Sequence, residues 1–345
     1  MRDVIHTLII APHLEHDMGP PMNAAVDRIL EPVPPRGTYD NSDRARYERC
    51  IKTSKRVRWD IDDDVFRGRT FDFSRKFLPD GLSKANEVPF VTPDEHRMWS
   101  QVQGRTYPAM FGMAERFIGA KTLELASTHR LEDWACIEGL VRFTDEELKH
   151  QELFRRMETA LAARLPSGYV FLADPNEVAR GILKKSTWAV LAFVCNVELF
   201  TQVHYRESIE PDQELSDLYR DIFRYHWLEE CQHTVMDEIE WRREDETLTL
   251  EQRDRAVDDL IELFLSVDAL VQRQSSADAA YFMRACERNF SAGEQKVIRD
   301  TMLKAYRWQY IGSGLKHPHF RDLLGSMVTP AQMLRIDMSL RSIME

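Results

Sequence analysis

The chain has 345 residues, of which 46 are Lys or Arg and 57 are Asp or Glu, giving a formal net charge of −11. With 43% hydrophobic and 30% charged residues it can build a sizeable core, while its acidic balance argues against general nucleic-acid binding, which needs a basic face. The five cysteines (Cys50, Cys136, Cys195, Cys231, Cys286) contain no CxxC pair, which speaks against a disulfide framework, a zinc ribbon or a rubredoxin-type iron site and suits a reducing cytoplasm.

In chain order, Met1–His16 carries only a short apolar patch and lacks the basic and hydrophobic regions of a signal peptide. His13 and His16 read as isolated surface histidines. Six of the 15 prolines fall before residue 36, so residues 1–55 are expected to be an irregular, Pro-rich segment, with residues 56–345 forming one helical domain. The seven basic residues between Arg44 and Arg58 read as a solvated face. Helix starts are then frequent. Thr92-Pro93-Asp94-Glu95 is a capping box with proline in the first turn, and similar signals begin at Asp174, Ser291 and Thr329. The pattern predicts helices at about 93–103, 108–129, 131–164, 186–208, 212–243, 250–273, 276–288, 292–311 and 330–343. No apolar run is long enough to cross a bilayer. The chain is therefore expected to be all-α, with long antiparallel helices forming a bundle.

Glu147-Leu148-Lys149-His150 and Glu230-Cys231-Gln232-His233 are both ExxH sequences within long predicted helices. A spacing of three puts carboxylate and imidazole on one helix face, one turn apart, a good half-site for a first-row transition metal. Each ExxH is preceded, at 32 residues, by a glutamate, Glu115 and Glu198. Glu198 lies in the strongly apolar run Trp188–Phe200, so its carboxylate should be buried, which is costly unless it is protonated, paired or metal-bound. Glu124 and Glu207 also share an offset from the two motifs, but sit near helix ends beside Lys121 and Arg206, where solvated charge is expected. One glutamate from each of two helices with ExxH from two more is the carboxylate dimetal pattern of four-helix bundles.

This pattern resembles the ferritin-like non-haem di-iron proteins over about residues 95–243. His226, four residues before Glu230, adds a third candidate ligand to one helix face, whereas the matching position of the other half is Phe143. In this the chain resembles the p-aminobenzoate N-oxygenase family, as it does in overall length and in Tyr310-x-x-x-Gly314-x-x-His317-Pro318-x-Phe320. The position of the radical tyrosine of ribonucleotide reductase small subunits is held by Phe154.

The implied fold is a ferritin-like four-helix bundle with additional flanking helices. The expected metal ligands are Glu115, Glu147, His150, Glu198, His226, Glu230 and His233, holding two iron ions, with manganese compatible. Glu147 and Glu230 are assigned as bridges, Glu115 and His150 to one ion, and Glu198, His233 and His226 to the other. The resemblance implies O2-dependent N-oxygenation of an aromatic amine through a peroxo-diferric species. Hydroxylation or desaturation of a carbon substrate, and iron binding without an organic substrate, stay open as alternatives. Electrons would come from an external donor, since no flavin or iron–sulfur motif is present. Neither nucleic acid nor membrane is expected as a partner, a homodimer is compatible, and the expected location is cytoplasmic. Trp188, Phe193, Phe200, Phe223 and Trp227 read first as core.

Overall fold

The computed structural model describes residues 41–129 and 133–344, within a compact unit spanning residues 39–345. The chain is all-α. No strand forms among the described residues, and an isolated bridge pairs Lys76 with Leu215.

The first described helix, α1 (Asn41–Arg56), corrects the sequence reading, which extended the irregular segment to residue 55. Its basic side chains form a charged outer face, with Lys55 bound to Glu138 and Arg46 to Glu238. Its other face buries Tyr47, Cys50 and Ile51. The expected His13 and His16 lie outside the described residues.

The bundle core is built from two antiparallel pairs. Helix α2 (Pro93–Thr128) starts at the predicted Thr92 capping box and packs along α3 (Trp134–Ala162). Arg105 meets Glu158, and a Cβ built on Gly119 would lie 3.3 Å from Glu147 Cβ, so the two helices run in opposite directions and approach closely beside a candidate ligand. The predicted break before Pro108 does not occur. Proline removes the amide that would bond to the Gly104 carbonyl, and the Tyr219 hydroxyl donates to that carbonyl instead, at 3.2 Å.

After a crossover carrying the short helix α4 (Pro175–Ile182), the second pair is α5 (Thr187–Val203) and α6 (Asp217–Thr247). Trp188 packs on Trp241 while Gln202 reaches the Glu230 carbonyl, again an antiparallel arrangement. Helix α5 is buried nearly all round, as its composition requires, and runs on into one π-helical turn, His204–Ile209. The two pairs meet through α3 with α6 and α2 with α5, forming a four-helix bundle.

The flanking helices are α7 (Leu250–Ala285), α8 (Ala292–Arg307), α9 (Pro318–Met327) and α10 (Pro330–Met344). Sequence reasoning divided α7 near residue 275 and missed α9. Gln274 and Asp278, one turn apart, bond at 3.0 Å across the expected break, and Ser275 Oγ is satisfied by the Gln272 carbonyl. Between α8 and α9, residues 308–312 form a further π-helical turn, leading into the short helix Ser313–Leu315; another spans Ile61–Phe66.

Candidate metal centre

The seven expected residues come from four helices: Glu115 from α2, Glu147 and His150 from α3, Glu198 from α5, and His226, Glu230 and His233 from α6. All are at most 3% exposed. Ligand-capable atoms of Glu115, His150, His226 and Glu230 lie within 4.8 Å of one another, and those of Glu147, His150, Glu230 and His233 do likewise. The two groups share His150 and Glu230. Glu198 joins neither, but its carboxyl group is hydrogen-bonded to Glu230.

One expected assignment is corrected. His226 was placed with Glu198 and His233, yet its Nε2 lies 3.1 Å from Glu115 Oε1 and 2.7 Å from Glu230 Oε1, and its ring centroid is 4.5 Å from that of His150. It stands one turn before Glu230 on α6, and His233 one turn after, so the two histidines flank Glu230 on opposite sides. His226 therefore belongs to the Glu115 and His150 end.

Each ExxH histidine turns Nδ1 inward. His150 Nδ1 is 3.0 Å from Glu230 Oε1, and His233 Nδ1 is 2.8 Å from Glu230 Oε2 and 3.1 Å from Glu147 Oε1. Their outer Nε2 atoms are held by two residues that sequence reasoning missed. His150 Nε2 bonds to Glu229 Oε2 at 2.9 Å, and His233 Nε2 to Glu146 Oε2 at 2.8 Å. The crossing is reciprocal, because Glu146 precedes Glu147 on α3 yet holds the histidine of α6, and Glu229 precedes Glu230 on α6 yet holds the histidine of α3. Lys149 partners Glu229, while Ser54 and Gln232 donate to Glu146. Both motifs read Glu-Glu-x-x-His, a doubled glutamate that the sequence carried as a signal. Such outer carboxylates fix the ring orientation and raise the basicity of a metal-binding histidine. Trp59 adds a parallel stack on His150, with centroids 6.1 Å apart.

The electrostatics favour a bound cation. Burial, reinforced by the Glu115 charge, pushes the Glu147 carboxyl well above the usual carboxylate range, and burial followed by the Glu230 charge does the same to Glu198. Burial opposes charge on His150 and His233, but the Glu230 carboxylate beside both raises their pKa well above the usual imidazole value. Glu115 Oε2, both Glu147 oxygens, His150 Nδ1 and Glu230 Oε1 are buried and lack a well-formed hydrogen bond. Buried polar atoms without well-formed hydrogen bonds are costly in a protein interior, and Glu230 Oε1 and Glu147 Oε1 have imidazole nitrogens at 2.7–3.1 Å. The donor set, carboxylate oxygen and imidazole nitrogen, suits iron or manganese.

The rejected pair behaves as solvated charge: Glu124 is exposed and bound to Lys121, and Glu207 is exposed. Cys231 also lies on the exposed side of α6, and His319 binds Glu238 near the surface. A narrow apolar cavity of about 50 Å³ lies between α2 and α5, with none of the seven candidate ligands in its lining. Ala114 and Val197, the neighbours of Glu115 and Glu198, line it together with Phe111, Phe193 and Phe200. Phe111 in turn lies edge-on to His226, 5.6 Å between centroids.

No family model and no curated protein matches the chain. Among solved structures it is similar to two point mutants of an R2-like ligand-binding oxidase. One, with a non-activated Mn/Mn cofactor, is 15% identical with a TM-score of 0.41, covering 86% of this chain and 98% of that one. The other, with an anaerobically reconstituted Mn/Fe cofactor, is 14% identical with a TM-score of 0.40 and the same coverage, 86% and 98%.

Proposed function

We propose that the chain is a dimetal oxidase or oxygenase that uses O2, with two iron ions, or manganese in their place, held by Glu115, Glu147, His150, Glu198, His226, Glu230 and His233. The observation that carries this reading is the pair of buried four-residue groups sharing His150 and Glu230, several of whose carboxylate oxygens make no well-formed hydrogen bond. Once bound, the metal pair would supply the electrons and coordination sites that O2 reduction needs.

The protein's own residues do the rest. Glu146 and Glu229 hold the two histidine rings with Nδ1 inward. Glu230 belongs to both groups, where its carboxylate could serve both ions, and Glu147, the other proposed bridge, belongs to the group with His233. Phe111 and Phe154 lie edge-on to His226, and Phe223 packs on both, forming an apolar wall at that end. The apolar cavity of about 50 Å³ would have to widen to admit an aromatic ring, and it has no Lys or Arg in its lining. That supports an uncharged aromatic substrate, and within the resemblance to N-oxygenases it favours a neutral arylamine over one bearing a carboxylate, whose charge would be buried unpaired. Met110 and Met113 in the lining are adaptable side chains that can yield to a flat ring.

Elemental analysis of protein reconstituted with Fe(II) tests the reading. Two tightly bound ions per chain are expected, both lost in Glu147→Ala and both retained in Glu124→Ala. One ion or none per chain in the parent protein would overturn it. Product analysis with a panel of neutral arylamines and carbon substrates then separates N-oxygenation from hydroxylation or desaturation.

A further inference from the structure

Eight residues before Glu115 on the same helix, Tyr107 is 1% exposed and takes no part in the proposed metal set. Its hydroxyl lies 2.7 Å from His204 Nδ1, and His204 Nε2 lies 2.8 Å from Ser313 Oγ. Ser313 Oγ donates onward to the Gln309 carbonyl at 3.3 Å. That terminal acceptor orients the chain: Ser313 gives its proton to the carbonyl, His204 Nε2–H donates to Ser313, and His204 Nδ1 is left to accept from the Tyr107 hydroxyl. Burial, aided by the Lys84 charge, lowers the His204 pKa to about 3, so the imidazole is neutral and its Nδ1 lone pair is available. His204 and Ser313 each adjoin a π-helical turn, His204 opening one and Ser313 following another. Such turns recur at functional sites.

Aromatic rings connect this pair to the centre. Tyr107 lies 4.6 Å from Phe111, centroid to centroid, and Phe111 lies 5.6 Å from His226. A parallel path runs through Phe223, 5.1 Å from Tyr107, and Phe154, 4.9 Å from His226. On the far side, Tyr310 is 6.2 Å from Tyr107 and 5.6 Å from Tyr306, whose hydroxyl bonds to Asp278. A second phenol paired with a proton acceptor therefore follows the first.

Building on the dimetal reading, we propose that Tyr107 and His204 form a proton-coupled redox pair that returns an electron to the oxidised metal centre when no substrate occupies the cavity. In this step the Tyr107 phenol loses one electron to an oxidised metal ion, which is reduced by one. Its hydroxyl proton, made strongly acidic by the loss of the electron, moves to His204 Nδ1 even though burial makes that nitrogen a weak base, leaving a neutral tyrosyl radical and an imidazolium. The geometry suits the step because electron and proton leave in different directions, the electron through Phe111 and the proton along a hydrogen bond already formed. Without an internal acceptor, a buried phenol would have to lose its proton to a medium that cannot solvate it. Phe154, at the position where a radical tyrosine was sought in the sequence, serves here as part of the ring path.

The test is freeze-quenched electron paramagnetic resonance of Fe(II)-loaded protein exposed to O2 without organic substrate, with metal content and metal oxidation measured on the same samples. The parent protein is expected to show a tyrosyl signal that Tyr107→Phe abolishes. His204→Gln, which can still accept a hydrogen bond but is no base, should lower the signal about tenfold or more, with metal content unchanged in both variants. Two oxidised ions with no organic radical, or an undiminished signal in Tyr107→Phe, would overturn the proposal and leave the dimetal reading standing. Fewer than two bound ions in the parent protein would overturn both.

Discussion

At the scale of single residues, the centre depends on side chains that never touch the metal volume. Glu229 and Glu146 each fix one histidine, and each is itself held by a donor, Lys149 or Ser54. Glu229→Gln and Glu146→Gln should therefore weaken metal binding by about 10–100-fold, measured by competition with a chelator, while leaving the far-ultraviolet circular dichroism unchanged. The convergence of six of the seven candidate ligands was legible because helical spacing converts sequence offsets into a shared face. The two outer glutamates were hidden in plain sight, since a doubled glutamate on a helix is usually a solvated charge and only the packing of α3 on α6 shows where the first one points. The grouping of His226 was not legible at all. Spacing along one helix fixes a face, but the partner helix fixes which ligands share an ion.

At the scale of elements, helix contacts set the reach of those side chains. Tyr47 on α1 packs flat against Gly139 on α3 and donates to Glu240 on α6 at 2.7 Å, fastening three helices at one point. A Cβ at residue 139 would sit 2.6 Å from Tyr47 Cδ1 and 3.3 Å from Met236 Sδ. Gly139→Ala should cost about 1–3 kcal/mol despite the better helix propensity of alanine, seen as a lower urea midpoint with an unchanged slope. Helix-start chemistry was the most legible level of the fold, as the capping boxes at Thr92 and Ser291 form as read. Helix breaks were the least legible. Pro108 stays inside α2 because a tyrosine 111 residues later takes over the orphaned carbonyl, a compensation that no local window contains.

At the scale of the molecule, the buried charges give stability a pH dependence away from the metal. Burial raises the Asp278 carboxyl to about 7, partly offset by hydrogen bonds from Thr106, Tyr306 and Gln274, against an ordinary value of 3.8. Between those values the folded chain holds a proton that the unfolded chain has released, so this group's contribution to stability falls as pH rises from about 4 to 7. Asp278→Asn should flatten that part of the pH profile in urea denaturation. A profile as steep as the parent's would show that the carboxyl titrates normally. All-α architecture and a bundle of antiparallel pairs were legible from composition and periodicity, whereas α1 was obscured by the proline-rich stretch before it.

The crossed support of the two histidines has a consequence for how the chain can be divided. Glu115, Glu147 and His150 come before the crossover, and Glu198, His226, Glu230 and His233 come after it. Each half carries the glutamate that steadies the other half's imidazole, so neither half owns a finished site. The exposed stretch Pro166–Gly168, where Gly168 has φ +95°, is a place to open the backbone without disturbing a bundle helix. Two polypeptides ending and beginning there should remain loosely associated in a chelator and lock together on adding Fe(II), in the sense that a ligand binding only the assembled form stabilises it by mass action. The centre would then act as a clasp, and co-elution of the two pieces in size-exclusion chromatography, present with metal and lost with chelator, would report its closing.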